Sequence, residues 1–450
     1  MLHRRLSFVA PIAVVMLSIL AACGGGGGGG SSSGGGASSS TSSASSSSSS
    51  SIPVVTGYTP GADIQVSQTG VLSAIPRVAV LTNGTIAVVW DEPTSSTPSL
   101  ISVAFELLNA SGTAISGRIA VDPANAGKQE IPDIAALSNG NFVVTWSDTS
   151  KTLGDSDGYS IKAQIFNSSG NAVGGPFLVN TTVANNQYLS AISPLSNGGF
   201  VIVWLDEDNN SPGQRRVMGQ MFTAAGAKSG SEKVIGSRTS SQLGQDAVSG
   251  LAGGGFVAAW QDDSHSLGDT DGFAIYAQRF DASGSASGSV VRVNTQTALD
   301  QGGPHVLALL NGGYVITWTD YGTQLGGGDI SAKGQMYSSA GAATGSEFVI
   351  AAPLSGADQF AGGGTGLANG NFVVGWANED AIITTRGQVY DQTGAKFGAD
   401  FAVPAAPATN AYNSVGADFA PTSNGGFVAV WTDNVGNSSS VVKMRVFAAQ

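Results

Sequence analysis

The chain has 450 residues but only one cysteine, three histidines and 11% charged residues. A single cysteine excludes any internal disulfide framework. Past the extreme N-terminus the only histidines are His265 and His305, too far apart for a metal-ligand or triad spacing. No Gly-x-Ser-x-Gly elbow or phosphate-binding loop is present either. Basic residues are also scarce: 19 Lys and Arg against 31 Asp and Glu give a net charge of −12, which repels phosphate backbones and argues against a nucleic-acid partner. What the chain has in excess is glycine, 64 residues, and that composition points away from helical bundles and toward a turn-rich β protein.

The N-terminus reads as an address and a tether. Residues 1–22 open with His3, Arg4 and Arg5 and continue as an apolar stretch broken by Pro11, the layout of an export signal. The stretch ends Leu20-Ala21-Ala22-Cys23, which resembles the lipobox of bacterial lipoproteins. That resemblance implies that the chain is cut before Cys23, that Cys23 is acylated, and that the acyl chains hold the protein on a bilayer. Gly24 stands where an inner-membrane retention signal would usually place Asp, so the expected location is the outer membrane. Residues 23–58 then form a linker whose Gly/Ser run, 24–51, cannot bury a core. Such a coil has a root-mean-square reach of roughly 30 Å.

The remaining sequence, 59–450, is one unit repeated. GTIAVVWDE, GNFVVTWSD, GGFVIVWLD, GGFVAAWQD, GGYVITWTD, GNFVVGWAN and GGFVAVWTD surround Trp90, Trp146, Trp204, Trp260, Trp318, Trp376 and Trp431 at steps of 56, 58, 56, 58, 58 and 55 residues. A turn pair precedes each Trp strand, as in Asn83-Gly84 and Asn139-Gly140, and predicts a hairpin with a type I′ turn. A third strand follows, ending at Phe166, Phe222, Phe280, Tyr337 or Tyr390, and four residues on comes a second turn glycine, Gly170, Gly226, Gly284, Gly341 or Gly394. A fourth strand such as Pro176–Asn180 or Ser289–Asn294 completes each unit.

Seven four-stranded antiparallel units predict an all-β, seven-bladed β-propeller, with repeats near 71–123, 128–182, 186–238, 243–296, 301–352, 357–404 and 412–450. The continuous apolar runs fit sheets covered on both faces. The seventh unit stops at Gln450, before its fourth strand. Ala62-Asp63-Ile64-Gln65-Val66 aligns with the fourth strand of unit six, Ala399–Val403, so an N-terminal strand within 62–69 is expected to complete the last blade and close the ring. The unit, most clearly Leu267–Gly284, resembles GGFVVxW-type repeats of large secreted and surface proteins of Gram-negative bacteria. That resemblance implies an exported protein in a binding or adhesive setting.

Three residue sets are candidates for function. The carboxylates two positions after the Trp, Asp148, Asp206, Asp262, Asp320 and Asp433, should lie on one face of a propeller, either as an acidic rim or as Asx-type caps of their own loops. The near-identical loops Leu153–Gly158 and Leu267–Gly272 carry Asp155, Asp157, Asp269 and Asp271 in Asp-x-Asp-Gly, a layout suited to Ca²⁺ though lacking the distal Glu of an EF-hand. The Trp residues and the strand-three glutamines (Gln164, Gln220, Gln278, Gln335, Gln388) are expected in the core. The functional expectation is a monomeric, envelope-anchored binding or adhesion module that offers an acidic loop face to a protein or glycan. The alternatives are a carbohydrate hydrolase or lyase working through rim carboxylates and a periplasmic scaffold for envelope assembly.

Overall fold

The computed structural model of the protein describes residues 55–450 apart from 70, 95–99, 125–126, 208–214, 239–245, 323–329, 353–356, 380–382, 406–415 and 437–438. The export signal, Cys23 and the Gly/Ser run lie outside the described residues. The strands form seven antiparallel sheets, and no helix occurs among the described residues. Six sheets take their strands in chain order; blade 2, for example, runs Gln129–Ala136, Phe142–Asp148, Ser160–Phe166 and Phe177–Leu178. The first strands of neighbouring blades touch in turn around the whole molecule, with Asp418–Pro421 of blade 7 against Ala74–Val80 of blade 1, so the ring is closed and first strands line its axis. The chain is a seven-bladed β-propeller.

The closure is made by the N-terminus, through two short strands. Tyr58–Pro60 pairs with Phe447–Ala449, and Ile64–Gln65 pairs with Lys443–Met444, both antiparallel to the last strand of the chain. The pairing therefore begins upstream of Ala62 and extends to Val66 and Ser67, whose backbone N–H groups both donate to the Val442 carbonyl.

Packing follows the sequence pattern. Second strands such as Phe142–Asp148 are buried at every position, because a neighbouring blade covers each face. All seven tryptophans are core residues, at most 4% exposed. The strand-three glutamines are buried amides: Gln164 Nε2 donates to the carbonyl of Ile165, and Gln220, Gln278, Gln335 and Gln388 each make the equivalent bond.

Two local expectations are corrected. The Asn-Gly turns are not type I′, which needs positive φ at two central residues. Only the glycine is left-handed (Gly84 φ 82°, Gly140 φ 88°), and Gly84 N–H donates to Leu81 O while Leu81 N–H donates to Thr85 O. This is a type I turn followed by a glycine bulge. The Asn is selected by its side chain, since Asn83 Oδ1 accepts the Thr85 N–H at 3.0 Å. The fourth strands of blades 2 and 4 are shorter than expected, Phe177–Leu178 and Val291–Arg292. Asn180 and Asn294 end them by turning side-chain oxygens onto the N–H groups of Ile161 (2.9 Å) and Ile275 (2.8 Å), where a continuing ladder would have placed a backbone carbonyl.

Adjacent blades are laced by the residue directly after the Trp. Asp91, Ser147, Gln261 and Thr319 each accept the N–H of a residue on the next first strand: Ile131, Leu189, Gly303 and Ala361 respectively. Ile131 and Leu189 sit at φ 56° and 59°, a costly conformation for such side chains. The bulge turns their N–H toward the neighbouring blade.

Candidate functional site

The post-Trp carboxylates are not an open acidic rim. Asp148, Asp206, Asp262 and Asp320 are at most 5% exposed, and their oxygens are engaged inside the blades. Asp148 pairs with Lys162 at 2.7 Å, both side chains being fully buried, and also accepts the Trp146 indole N–H at 3.2 Å. Asp320 pairs with Lys333, and the partly exposed Asp433 with Lys443. Asp206 accepts Gln187 Nε2 at 2.9 Å. Asp148, Asp262 and Asp320 each accept the N–H two residues on, so the Asx-type cap is present in these three loops.

A cross-strand rule explains the ion pairs. The residue opposite the Trp on strand three points to the same side as the residue two after it. That residue is Lys162, Lys333 or Lys443 in the blades with a Lys–Asp pair. In blade 1 it is Ala104, and Glu92 turns to Arg118 while accepting the Trp90 N–H at 2.7 Å. In blade 6 position 378 is Asn, which takes the Trp376 N–H at 2.8 Å, and Arg386 turns to Asp400.

The two Asp-x-Asp-Gly loops are both ordered by glycines at positive φ, Gly158 at 55° and Gly272 at 73°. Asp155 and Asp269 are turned inward, each 2% exposed, and burial raises the pKa of both. Among the described residues no three His, Cys, Asp or Glu side chains converge as a metal-binding group. Each loop also carries an exposed leucine in the left-handed region, Leu153 (φ 61°) and Leu267 (φ 52°).

A set of titratable groups shares one register position on the axial first strands. The first-strand residue in register with the one before each Trp is Arg77 in blade 1, Asp133 in blade 2, Ala191 in blade 3, Ala247 in blade 4, His305 in blade 5 and Asp418 in blade 7. Arg77 thus stands between two carboxylates from the blades on either side, with Nε 3.9 Å from Asp133. Each carboxylate is anchored across a blade boundary, Asp133 Oδ2 on the Ile192 N–H and Asp418 Oδ2 on the Val78 N–H, both at 2.9 Å. Enclosure shapes their protonation. Burial lifts Asp133 to about 6 against the opposing pull of Arg77, and likewise raises Asp418. Burial and the Arg77 charge together depress His305 to about 4. The axial strands therefore carry a neutral imidazole and a carboxyl of raised pKa, both acted on by the Arg77 charge. Sequence reasoning passed over this set because its members are 56 or more residues apart in the chain. The signal that could have found it is the register position itself, compared from repeat to repeat.

A second buried carboxylate, Asp91, lies at the boundary of blades 1 and 2 and is raised to about 7, first by burial and then by Glu130 and Glu92. A carboxyl whose pKa is higher folded than unfolded stabilises the fold below its unfolded pKa, and that contribution disappears as pH rises through the folded value. His305 has the opposite sense, losing its contribution as pH falls below about 6.5. Between pH 6.5 and 8 Asp91 should lose about 0.8 kcal/mol of its contribution; His305, half protonated in the unfolded chain at pH 6.5, offsets about 0.4 kcal/mol of this, so with the smaller loss at Asp133 stability should fall by about 0.5 kcal/mol. Denaturant melts at the two pH values are the check: Asp91→Asn should flatten this slope, and an unchanged slope would remove Asp91 as its source.

No protein-family model matches the chain, and no curated protein matches it. Solved structures do. One is a protein of unknown function from Dyadobacter fermentans, with TM-score 0.52 and 11% identity, covering 88% of this chain and 100% of that one. Another is a polysaccharide lyase, with TM-score 0.50 and 10% identity, covering 83% of this chain and 89% of that one. At such identity the likeness is one of fold.

Proposed function

We propose that the protein is a lipid-anchored binding module of the outer membrane, holding its propeller off the bilayer on the Gly/Ser tether and presenting the face of the strand-two to strand-three loops to a protein or glycan. The observation that carries this reading is the internal use of the post-Trp carboxylates, of which Asp148 and Lys162 are the limiting case with no exposed side-chain surface. Residues already committed to blade cohesion are unavailable as an acid–base pair on a rim. The same face offers Leu153 and Leu267, two exposed apolar side chains held by strained backbone, which suits contact with a partner.

A carbohydrate-active enzyme is the second reading. The set on the axial strands favours it, because the raised pKa of Asp133 is the sense that a general acid requires and Arg77 beside it could stabilise developing negative charge.

One experiment separates the two readings. Acidic and neutral polysaccharides are run against the purified protein in affinity electrophoresis and assayed in parallel for new reducing or unsaturated ends. Retardation without new ends is the expected result, and it should weaken at least tenfold when Leu153 and Leu267 are both changed to Asp. New ends that vanish in Asp133→Asn would replace the binding reading with the enzymatic one. In cells, Cys23→Ser should move the protein from the membrane fraction to the soluble fraction; continued membrane association would remove the lipid anchor from the proposal.

A further inference from the structure

The two Asp-x-Asp-Gly loops are near copies in sequence and differ in how far they satisfy themselves. In blade 2, Asp155 Oδ1 accepts the Asp157 N–H at 3.0 Å and Oδ2 accepts Asn180 Nδ2 at 3.2 Å. The corresponding Asn294 in blade 4 gives its amide to Gln296 O (2.6 Å) and Gln301 Oε1 (2.8 Å), the counterparts of the Thr182 O and Gln187 Oε1 that Asn180 also serves, but makes no bond to Asp269. Both oxygens of Asp269 are consequently buried with no hydrogen-bond partner. A carboxylate without hydrogen bonds is costly to bury, and the nearby Arg292 charge offsets part of that cost. Asp271, two residues on, is exposed and spends only Oδ2, on the Leu299 N–H at 3.3 Å.

We propose that the blade-4 loop Leu267–Gly272 binds a hard divalent cation, Ca²⁺ by its preference for oxygen, on the carboxylates of Asp269 and Asp271, and that the blade-2 copy does not. The buried position of the Asp269 oxygens selects a small occupant enclosed by the loop over a bulky ligand approaching from outside. Carboxylate and backbone oxygens are the donors Ca²⁺ takes, and it tolerates the irregular geometry a loop provides. Arg292 opposes the cation. It occupies the register position held by Leu178 in blade 2, and its Nη1 lies 3.6 Å from where a Cβ on Gly268 would stand. A guanidinium that close lowers the affinity of the loop for a second cation. The expected dissociation constant is therefore at the weak end of calcium modules, on the order of 10⁻³ M.

The full-length protein, treated with chelator and dialysed, is titrated with CaCl₂ by calorimetry, with the melting temperature followed in parallel. One site is expected. Asp269→Asn and the exposed Asp271→Asn should each weaken it at least tenfold, Asp155→Asn should leave it within twofold, and Arg292→Leu should tighten it severalfold. Asp271→Asn guards against the case in which Asp269→Asn disturbs folding. The proposal is overturned by an absence of heat at 10-fold the expected dissociation constant, by binding that survives both blade-4 variants, or by equal loss in Asp155→Asn. It stands apart from the glycan reading, which can fail in electrophoresis while calcium still binds.

Discussion

A chain beginning at Gln68 is expected to lose the closed propeller. Residues 55–67 supply the outer strand of blade 7 and reach into blades 6 and 1. The Tyr58 ring lies 5.3 Å from Phe427 and 6.0 Å from Phe397, and its hydroxyl accepts Asn369 Nδ2 at 2.9 Å. Asp63 accepts the Ala405 N–H at 2.9 Å and pairs with Arg445 at 3.7 Å. Val66 is buried, and with Ile64 it packs against the core shared by blades 7 and 1, which includes Trp90, Val430 and Met444. Burying such side chains contributes roughly 1.5–3 kcal/mol each and each strand hydrogen bond about 1 kcal/mol net. The total is on the order of 5 kcal/mol or more, the scale of a whole domain's stability. Truncation should therefore lower the melting temperature by about 6 °C or more. It should also free the edge of Ser439–Ala449 for self-association. Calorimetry and gel filtration measure both effects, and a synthetic peptide spanning 55–69 should reverse them. A truncated chain that stays monomeric and melts within about 2 °C of the intact protein would show that the ring does not depend on this strand.

The second large effect is expected at Lys162. Its ammonium is enclosed with Asp148, Ser150 and Thr152, and neither charged side chain has any exposed surface. Lys162→Met leaves the Asp148 carboxylate buried without its counter-charge, which should cost about 3–5 kcal/mol. Adding Asp148→Asn should recover most of that loss, because Asn378 already holds the indole N–H of Trp376 in blade 6. Lys333 and Lys443 make the same pair in blades 5 and 7 with side chains 21% and 26% exposed, opposite Asp320 and Asp433 at 3% and 14%, so water reaches these pairs from the lysine end. Their methionine variants should cost less than Lys162→Met, about 1–3 kcal/mol, with Lys443→Met the mildest. Equal losses at all three positions, measured by chemical denaturation, would refute the dependence on burial.

Much of the architecture was legible in the residues. Tryptophan at near-constant spacing marked the second strand of every blade, since a large ring inside an apolar run is core wherever both faces of a sheet are covered. The terminal aromatic and the glycine four residues later marked the strand-three to strand-four turn. The Asn-Gly pairs located the first hairpins correctly and misled on turn type, because Asn acts there through its carboxamide and not through a left-handed backbone.

The candidate site was much less legible. Spacing alone put Asp148 and its counterparts two positions beyond the Trp but could not show that Lys162, Lys333 and Lys443 stand opposite. Asp155 and Asp269 looked equivalent in sequence, and what separates them is whether the neighbouring asparagine and the N–H two residues on also reach the carboxylate.

The sequence by itself determined the repeat, the strand order within each blade, the blade count and the closure by an N-terminal strand, because these follow from local turn chemistry and the period of apolar burial. Only the tertiary structure decided what the polar residues do. The protonation of Asp133 and His305, the neutralisation of Asp148 and the isolation of Asp269 depend on groups dozens to hundreds of residues distant in the chain. Coulomb and desolvation energies are set by distance in space and by enclosure, which only closure of the ring establishes.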